Sequence, residues 1–143
     1  MPDTPETIIA FDFGLRRIGV AVGQQVTNSS NALETIANVE SGPDWLRIDE
    51  IMREWGPQRL IVGMPLHTDG SPSKTSERVS SFVAELERFE LPIETVDERY
   101  SSVEAQAVLK SKRARGLRGR ISKESIDSTA AMLIAERWLK NER

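Results

Sequence analysis

The sequence feature that most constrains this fold is residues 8–23, IIAFDFGLRRIGVAVG. Two apolar runs, residues 8–13 and 18–22, lie on either side of a short turn over residues 14–17. β-Branched and small residues dominate both runs, as is typical of two buried strands joined as a hairpin. The sequence therefore predicts that the fold begins with an antiparallel hairpin.

One carboxylate, Asp12, lies at the end of the first apolar run. An ionised Asp among apolar neighbours is costly unless it is paired with a cation or hydrogen-bonded. Two interpretations are open. Asp12 either forms a turn by bonding the backbone of Gly14 or Leu15, or it is held at the strand end to bind a metal. Gly14 and Gly19 allow close backbone approach or a bulge beside the acid, which slightly favours the metal.

The rest of the chain alternates between strand and helix patterns. After the hairpin, the sequence predicts a strand over 32–39, a helix that starts at 41–44 and is stopped by Gly56-Pro57, and a strand over 59–63. A loop over 64–74 leads to a helix with apolar positions from Val79 to Phe89 and then to a strand over 91–96. The last predicted elements are a helix over 101–112, a Gly/Arg loop over 113–121 and a helix over 122–140. A hairpin followed by a parallel βαβ unit predicts an α/β fold with a mixed five-stranded central sheet. We expect one domain spanning residues 1–143.

Carboxylates follow two of the predicted strands. Asp12 ends the first strand, while Asp97 and Glu98 follow the last one. Ligands of open α/β sheets collect at the carboxyl ends of parallel strands. Side chains alternate along a strand, so only one of Asp97 and Glu98 can share a face with a given upstream residue.

A third candidate acid, Asp127, lies early in the last predicted helix. Helical spacing puts it on one stripe with Ala131, Ile134 and Trp138, which predicts that the carboxylate faces the core. Such a carboxylate needs a partner, and this stripe contains no Lys or Arg.

Convergence of Asp12, Glu98 and Asp127 at one sheet edge would suit a hard divalent cation such as Mg²⁺. Two such ions about 3.5–4 Å apart can activate a water and stabilise the leaving oxygen in phosphodiester hydrolysis. Separate roles are the alternative: Asp12 caps a turn, Glu98 makes a surface ion pair and Asp127 favours a helix N-terminus.

Basic residues are concentrated just before Asp127. They are Lys110, Lys112, Arg113, Arg115, Arg118, Arg120 and Lys123, with no acid among them. This segment is either a solvated loop or a clamp for phosphates, for which Arg is well suited. His67, the only histidine, follows a predicted buried strand and is either a surface hydrogen-bonding group or a substrate contact.

Composition narrows the classes of function. The chain has no cysteine, which excludes disulfides, thiolate zinc sites and a thiol nucleophile. A net charge of −3 argues against coating nucleic acid through bulk charge. No apolar run approaches the roughly 18 residues of a membrane span, and the polar first residues do not suggest a signal peptide. We therefore expect a cytoplasmic protein.

Several motifs in this order resemble the YqgF family, whose members carry the names pre-16S rRNA nuclease and Holliday junction resolvase. They are FDFG at 11–14, RIGVAVG at 17–23, IVGMPL at 61–66 with Asp69-Gly70, DER at 97–99 with SVEA at 102–105, and DSTAA at 127–131. The resemblance implies a ribonuclease-H-like three-layer fold, hydrolysis with two Mg²⁺ or Mn²⁺ ions, and maturation of the 5′ end of 16S rRNA. By motif position, the family's acidic residues fall on Asp12, Glu98 and Asp127.

The chain departs from the family pattern in two places. His67 stands where the family often has Asn, and the approach to Asp127 is more Arg-rich than the family pattern. We expect Arg16, His67, Arg99 and the basic residues Arg113, Arg115, Arg118, Arg120 and Lys123 to contact phosphates rather than read bases.

Three alternatives to the rRNA nuclease are open. One is a resolvase of four-way DNA junctions, whose symmetric cuts would suit a homodimer, although the sequence also allows a monomer. A second is a non-catalytic module that binds RNA or ribosomes. The third is one half of an actin-like ATPase, which also begins with Asp-x-Gly and a hairpin, but this chain offers only one lobe.

Overall fold

The computed structural model describes residues 5–64, 74–97 and 123–141. The strands are Thr7–Phe13 (β1), Arg17–Gln24 (β2), Ser29–Val39 (β3), Gly42–Pro43 (β4), Arg59–Met64 (β5) and Ile93–Asp97 (β6), and the helices are Trp45–Trp55 (α1), Lys74–Leu86 (α2) and Lys123–Asn141 (α3). They form a sheet in the order β4-β3-β2-β1-β5-β6. β1, β2 and β3 are antiparallel neighbours, whereas β5 runs parallel to both β1 and β6. The prediction of a mixed α/β sheet is confirmed.

The predicted hairpin is formed by β1 and β2. Its register pairs Ile8 with Gly23 at one end and Phe13 with Ile18 at the other. The apolar residues of both strands are buried, because helices cover both faces of this part of the sheet. Two-sided burial explains why these strands are continuously apolar instead of alternating with polar residues.

The two faces of β1 belong to different cores. Ile9, Phe11 and Phe13 pack with residues of α1 and α2, and the Phe11 ring meets Phe82 of α2 edge to face with centroids 5.4 Å apart. Ile8 and Ala10 pack instead beneath α3. The α3 core consists of Ile8, Ala10, Ile61, Ile134, Ala135, Trp138 and Leu139. Side chains alternate along a strand, so the even-numbered positions of β1 face α3.

Helix α1 begins later than its sequence pattern predicts. Gly42 and Pro43 do not start the helix; they form β4, in which Gly42, at φ +117°, pairs with Val39. The helix follows Asp44, whose carboxylate accepts the backbone N–H of Arg47 at 3.2 Å. It ends as predicted at Gly56, which adopts the left-handed conformation with φ of 53°. The prediction of five strands was wrong because it did not include β4.

Helix α3 and strands β5 and β6 lie within two residues of their predicted bounds. Helix α2 begins earlier than predicted, at Lys74, and ends at Leu86, three residues before Phe89. The predicted helix over 101–112, the loop over 113–121 and most of the loop over 64–74 lie outside the described residues. Across the described ranges, no helix combines the length and apolarity that a bilayer crossing demands.

Candidate active site

Asp12 lies one residue before the end of β1, next to the turn into β2. Its Cα pairs with that of Gly19 across the hairpin. Ile8 and Ala10 belong to the core beneath α3, so strand alternation directs the Asp12 side chain to the same side. The residue is half-buried. The structure thus places this carboxylate on the α3 side of the sheet, at the carboxyl end of β1.

Helix α3 packs directly onto β2 at Gly19. A Cβ atom at this position would lie 2.0 Å from the carbonyl oxygen of Asp127 and 2.9 Å from the backbone nitrogen of Ser128. No side chain fits in that space, so the close approach requires glycine. The expectation of a close backbone contact at Gly19 is confirmed. Because Gly19 pairs with Asp12, the contact brings Asp127 and Asp12 to the same region of the sheet.

The side chain of Asp127 is held by Arg17. Nε of Arg17 donates a hydrogen bond to Oδ2 of Asp127 at 2.8 Å. The Arg17 and Asp127 side chains are 33% and 25% exposed, so the ion pair is partly shielded from water. Ala131, Ile134 and Trp138 on the same stripe of α3 are buried, which confirms that this stripe faces the sheet.

Arg17 is the partner of Asp127 that the sequence analysis did not predict. Helical spacing reveals only partners on the same stripe of α3, whereas Arg17 lies 110 residues earlier in the chain, at the start of β2. The sequence signal for this partner is strand alternation: residues 17 and 19 share a face, and Gly19 is a predicted point of close approach.

The turn that carries Arg17 is fixed by Asn38 at the end of β3. Nδ2 of Asn38 donates to the carbonyl oxygen of Gly14 at 2.7 Å. The backbone N–H of Asn38 donates to the carbonyl oxygen of Arg16 at 2.9 Å. A Cβ at Gly14 would lie 2.5 Å from the carbonyl oxygen of Arg17, so this turn also requires glycine. Asn38 is 8% exposed, and its buried amide therefore anchors the turn firmly.

Of the three predicted acids, the structure brings Asp12 and Asp127 to one side of the sheet. Glu98 lies outside the described residues, as do the predicted phosphate contacts His67, Arg99, Arg113, Arg115, Arg118 and Arg120. Arg16 is exposed in the β1–β2 turn, and Lys123 is the first residue of α3. Within residues 5–64, 74–97 and 123–141, no three acidic or histidine side chains form a metal-binding group.

The donor atoms at this site fit a hard divalent cation. Asp12 and Asp127 offer carboxylate oxygens, the ligands that Mg²⁺ and Mn²⁺ prefer. The contact at Gly19 brings the backbone of α3 against β2 at the residue that pairs with Asp12. Arg17 adds one positive charge to the pair of acids. The site therefore combines oxygen donors with a built-in cation.

The mixed sheet and the helix packed across its first hairpin form a ribonuclease-H-like fold. Two solved structures of Holliday junction resolvases share this fold. RuvC of Thermus thermophilus, in complex with a Holliday junction, superposes with a TM-score of 0.57 over 95% of this chain and 94% of its own, at 13% identity. The yeast mitochondrial resolvase Ydc2 superposes with a TM-score of 0.56 over 93% of this chain and 77% of its own, at 12% identity.

A family model described as "RuvX: Holliday junction resolvase" matches residues 6–141, and the chain belongs to this family. A protein of Burkholderia lata is 43% identical over 93% of this chain and 88% of its own length, and one of Azotobacter vinelandii is 40% identical over 94% of both chains. Both carry the name "Putative pre-16S rRNA nuclease". The resemblance to YqgF proteins is confirmed, and the class of activity is that of a nuclease, a hydrolase of phosphodiester bonds.

Proposed function

We propose that this protein cleaves precursor 16S rRNA during maturation of the 5′ end, with Asp12, Glu98 and Asp127 as its catalytic carboxylates. The observation that carries the proposal is the contact at Gly19, which puts Asp12 and Asp127 on the same side of the sheet. The names of relatives that are about 40% identical over nearly the whole chain support the choice of rRNA.

Glu98 is proposed as the third carboxylate from the alternation of β6. Glu94 accepts a hydrogen bond from Nε1 of Trp138 in α3 at 3.2 Å, and Val96 packs against the α3 core. Glu94 and Val96 of β6 thus face α3, and we infer from this alternation in the sequence that Glu98, and not Asp97, is the third carboxylate. The sequence motif that contains Glu98 supports the same choice.

The acids would hold one or two Mg²⁺ or Mn²⁺ ions through their carboxylate oxygens. When bound, such ions activate a water for attack and neutralise charge on the leaving oxygen. Asp12, on the first strand of the hairpin, would hold the ions together with Glu98 and Asp127. The packing around Gly19 holds the backbone of Asp127 against β2, which would preorganise this part of the site.

Phosphate contacts are proposed for Arg16, His67, Arg99, Arg113, Arg115, Arg118, Arg120 and Lys123. Arg16 is exposed in the turn that follows β1, where it would contact the phosphates of an RNA strand bound at the site. The cations that precede Asp127 in the sequence would let a protein of net charge −3 hold an anionic substrate locally. We place its action in the cytoplasm, on precursor rRNA that is free or ribosome-associated, as a monomer or a homodimer.

Cleavage of four-way DNA junctions is the second candidate function. The family model is described as a resolvase, and the fold neighbours include RuvC bound to a junction. Resolution requires two symmetric cuts, and therefore two active sites that act together. A single cut in a single-stranded or locally paired rRNA precursor needs only one.

The experiment is a comparison of substrates under single-turnover conditions. Labelled 5′ precursor of 16S rRNA and a labelled four-way junction are each incubated with the protein and Mn²⁺, with EDTA as the control. The proposal predicts cleavage of the RNA near the mature 5′ end, at a rate at least about tenfold above that of the junction, and none with EDTA. Faster cleavage of the junction than of the RNA would favour the resolvase function. Binding of RNA without cleavage of either substrate would contradict both the rRNA nuclease and the resolvase proposals.

A further inference from the structure

We infer that Arg17 is an internal counter-cation of this site: it compensates Asp127 in the metal-free protein and so lowers the affinity for the first divalent ion. The inference rests on the proposed function, because it takes Asp12 and Asp127 as metal ligands. It goes further in assigning to a basic residue of β2 control over how tightly the metal is held.

The geometry of the pair supports this role. The contact is a direct charge-assisted hydrogen bond of 2.8 Å from Nε of Arg17 to Oδ2 of Asp127, between side chains that are two-thirds or more buried. Arg17 shares the α3 face of β2 with Gly19, so its guanidinium lies beside the point where α3 touches the strand. Arg16, its neighbour, is exposed.

The backbone of Arg17 cannot easily withdraw. Asn38 holds the turn through hydrogen bonds to Gly14 and Arg16, and a Cβ at Gly14 would lie 2.5 Å from the carbonyl oxygen of Arg17. The position of the Arg17 cation is therefore fixed by the backbone of the hairpin. When a divalent ion binds, we expect the Arg17 side chain to adjust and the backbone of the turn to stay in place.

Two cations then compete for one carboxylate. In the metal-free protein, Arg17 offsets the repulsion that Asp127 and Asp12 exert on each other from the same side of the sheet. A divalent ion bound to Asp127 must either displace the guanidinium or tolerate its repulsion, and both reduce the affinity. Removing the Arg17 charge should thus have opposite effects on two properties. It should destabilise the metal-free protein and tighten metal binding.

The test is calorimetric titration with Mn²⁺ of the wild type and of Arg17→Gln, Arg17→Lys and Arg53→Gln. The last is the matched control, since Arg53 is an exposed residue of α1 and its loss changes the net charge equally. We expect Arg17→Gln to bind Mn²⁺ about three- to tenfold more tightly, with Arg17→Lys and Arg53→Gln within about twofold of the wild type. In EDTA, Arg17→Gln should melt at a lower temperature than the wild type, and Mn²⁺ should raise its Tm by more.

Equal or weaker Mn²⁺ binding by Arg17→Gln would overturn the inference, because it would mean that Arg17 only orders the Asp127 ligand. If Arg17→Gln does not fold without metal, Arg17→Met keeps the aliphatic stem and must show the same tightening. Asp127→Asn separates the two proposals. If it binds Mn²⁺ as well as the wild type does, the proposed metal site itself fails; if it binds weakly while Arg17→Gln is unchanged, only the counter-cation is refuted.

Discussion

Two charged clusters lie at opposite ends of the α3 side of the sheet, and each is centred on an arginine. At the starts of the parallel strands, Arg59 of β5 donates from Nε to Glu6 at 2.8 Å and from Nη1 to Glu94 at 2.6 Å. Trp138 covers it, with the guanidinium carbon 5.6 Å from the ring centroid, and donates its indole N–H to Glu94. The hydrogen bond to Glu6 raises the pKa of Arg59 above its ordinary value. Arg59, Glu6, Glu94 and Trp138 thus form a closed cluster, in which each carboxylate has a partner.

At the other end, where β1 finishes, Arg17 contacts Asp127 beside Asp12. Here the space between strand and helix is lined by Gly19 and not by an aromatic ring. Arg59 binds two carboxylates and is covered by the ring of Trp138. Such a network stabilises the fold. The carboxylates at the Arg17 end lie beside a glycine contact that admits no side chain, an arrangement that suits a metal site.

The largest expected difference between the two ends is catalytic. Asp127→Asn and Glu94→Gln each remove one carboxylate charge that is paired with an arginine on the α3 side. We predict that Asp127→Asn lowers the single-turnover rate of RNA cleavage by more than about 100-fold, since a direct metal ligand should matter more than its outer-shell partners. Glu94→Gln should stay within about twofold of the wild type. A comparable loss in both variants would show that the difference between the two ends is not functional.

The second prediction concerns the glycine contact. Gly19→Ala puts a Cβ 2.0 Å from the carbonyl oxygen of Asp127 and must push the start of α3 off β2. We expect a loss of about 1–3 kcal/mol in the free energy of unfolding and at least a tenfold loss of cleavage rate.

Gly23→Ala, on the same face of β2, is the matched control. Its new Cβ would meet the side chain of Ile8 at 2.9 Å and that of Ala135 at 3.4 Å, where the Ile8 chain can rotate away. Urea unfolding and the rate assay together measure both variants. If Gly23→Ala impairs cleavage as strongly as Gly19→Ala, the specific role of Gly19 is wrong.

The third prediction is a change in stability without a change in activity. Arg59→Met leaves Glu6 and Glu94 without their shared cation. Because all three side chains are roughly a quarter to a third exposed, we expect a loss of about 1–2 kcal/mol in the free energy of unfolding, between the values for surface and buried pairs. Arg53→Met, on the exposed face of α1, should cost less. A fall in the cleavage rate of folded Arg59→Met would link the closed cluster to the active site.

The smallest expected effect concerns Lys140, whose Nζ lies 3.1 Å from Oε1 of Glu136 one turn earlier in α3. The lysine side chain is 67% exposed, so water screens this pair. Lys140→Gln should change the free energy of unfolding by no more than about 0.5 kcal/mol and leave cleavage unaltered. A larger loss in urea unfolding would mean that the end of α3 depends on surface charge and not on the Trp138 network.

The sequence predicted the parts of the fold and site that depend on local pattern. Continuous apolar runs identified the hairpin, helical spacing turned Asp127 toward the sheet, and the absence of a side chain marked Gly19 as a contact point. Strand β4 was not predicted because it has only two residues, one of them Pro43, and two residues show no strand periodicity. They also lie directly before a capped helix, where Pro is common.

Residue spacing alone does not reveal the ion pairs, because they join distant elements. Arg17 and Asp127 are 110 residues apart, and Arg59 is 53 residues from Glu6 and 35 from Glu94. Nothing in the spacing of these residues distinguishes a structural arginine from one at an active site. Only the sheet register and the packing of α3 separate the two clusters.

The most direct test of the account is the rate of RNA cleavage by Asp12→Asn, measured with Mn²⁺ at protein concentrations that saturate the precursor. The substitution keeps the shape of the side chain and removes its charge. The account predicts a rate more than about 100-fold below that of the wild type, with RNA affinity and Tm nearly unchanged. Cleavage at the wild-type rate by a folded Asp12→Asn would contradict the assignment of the active site to this end of the sheet.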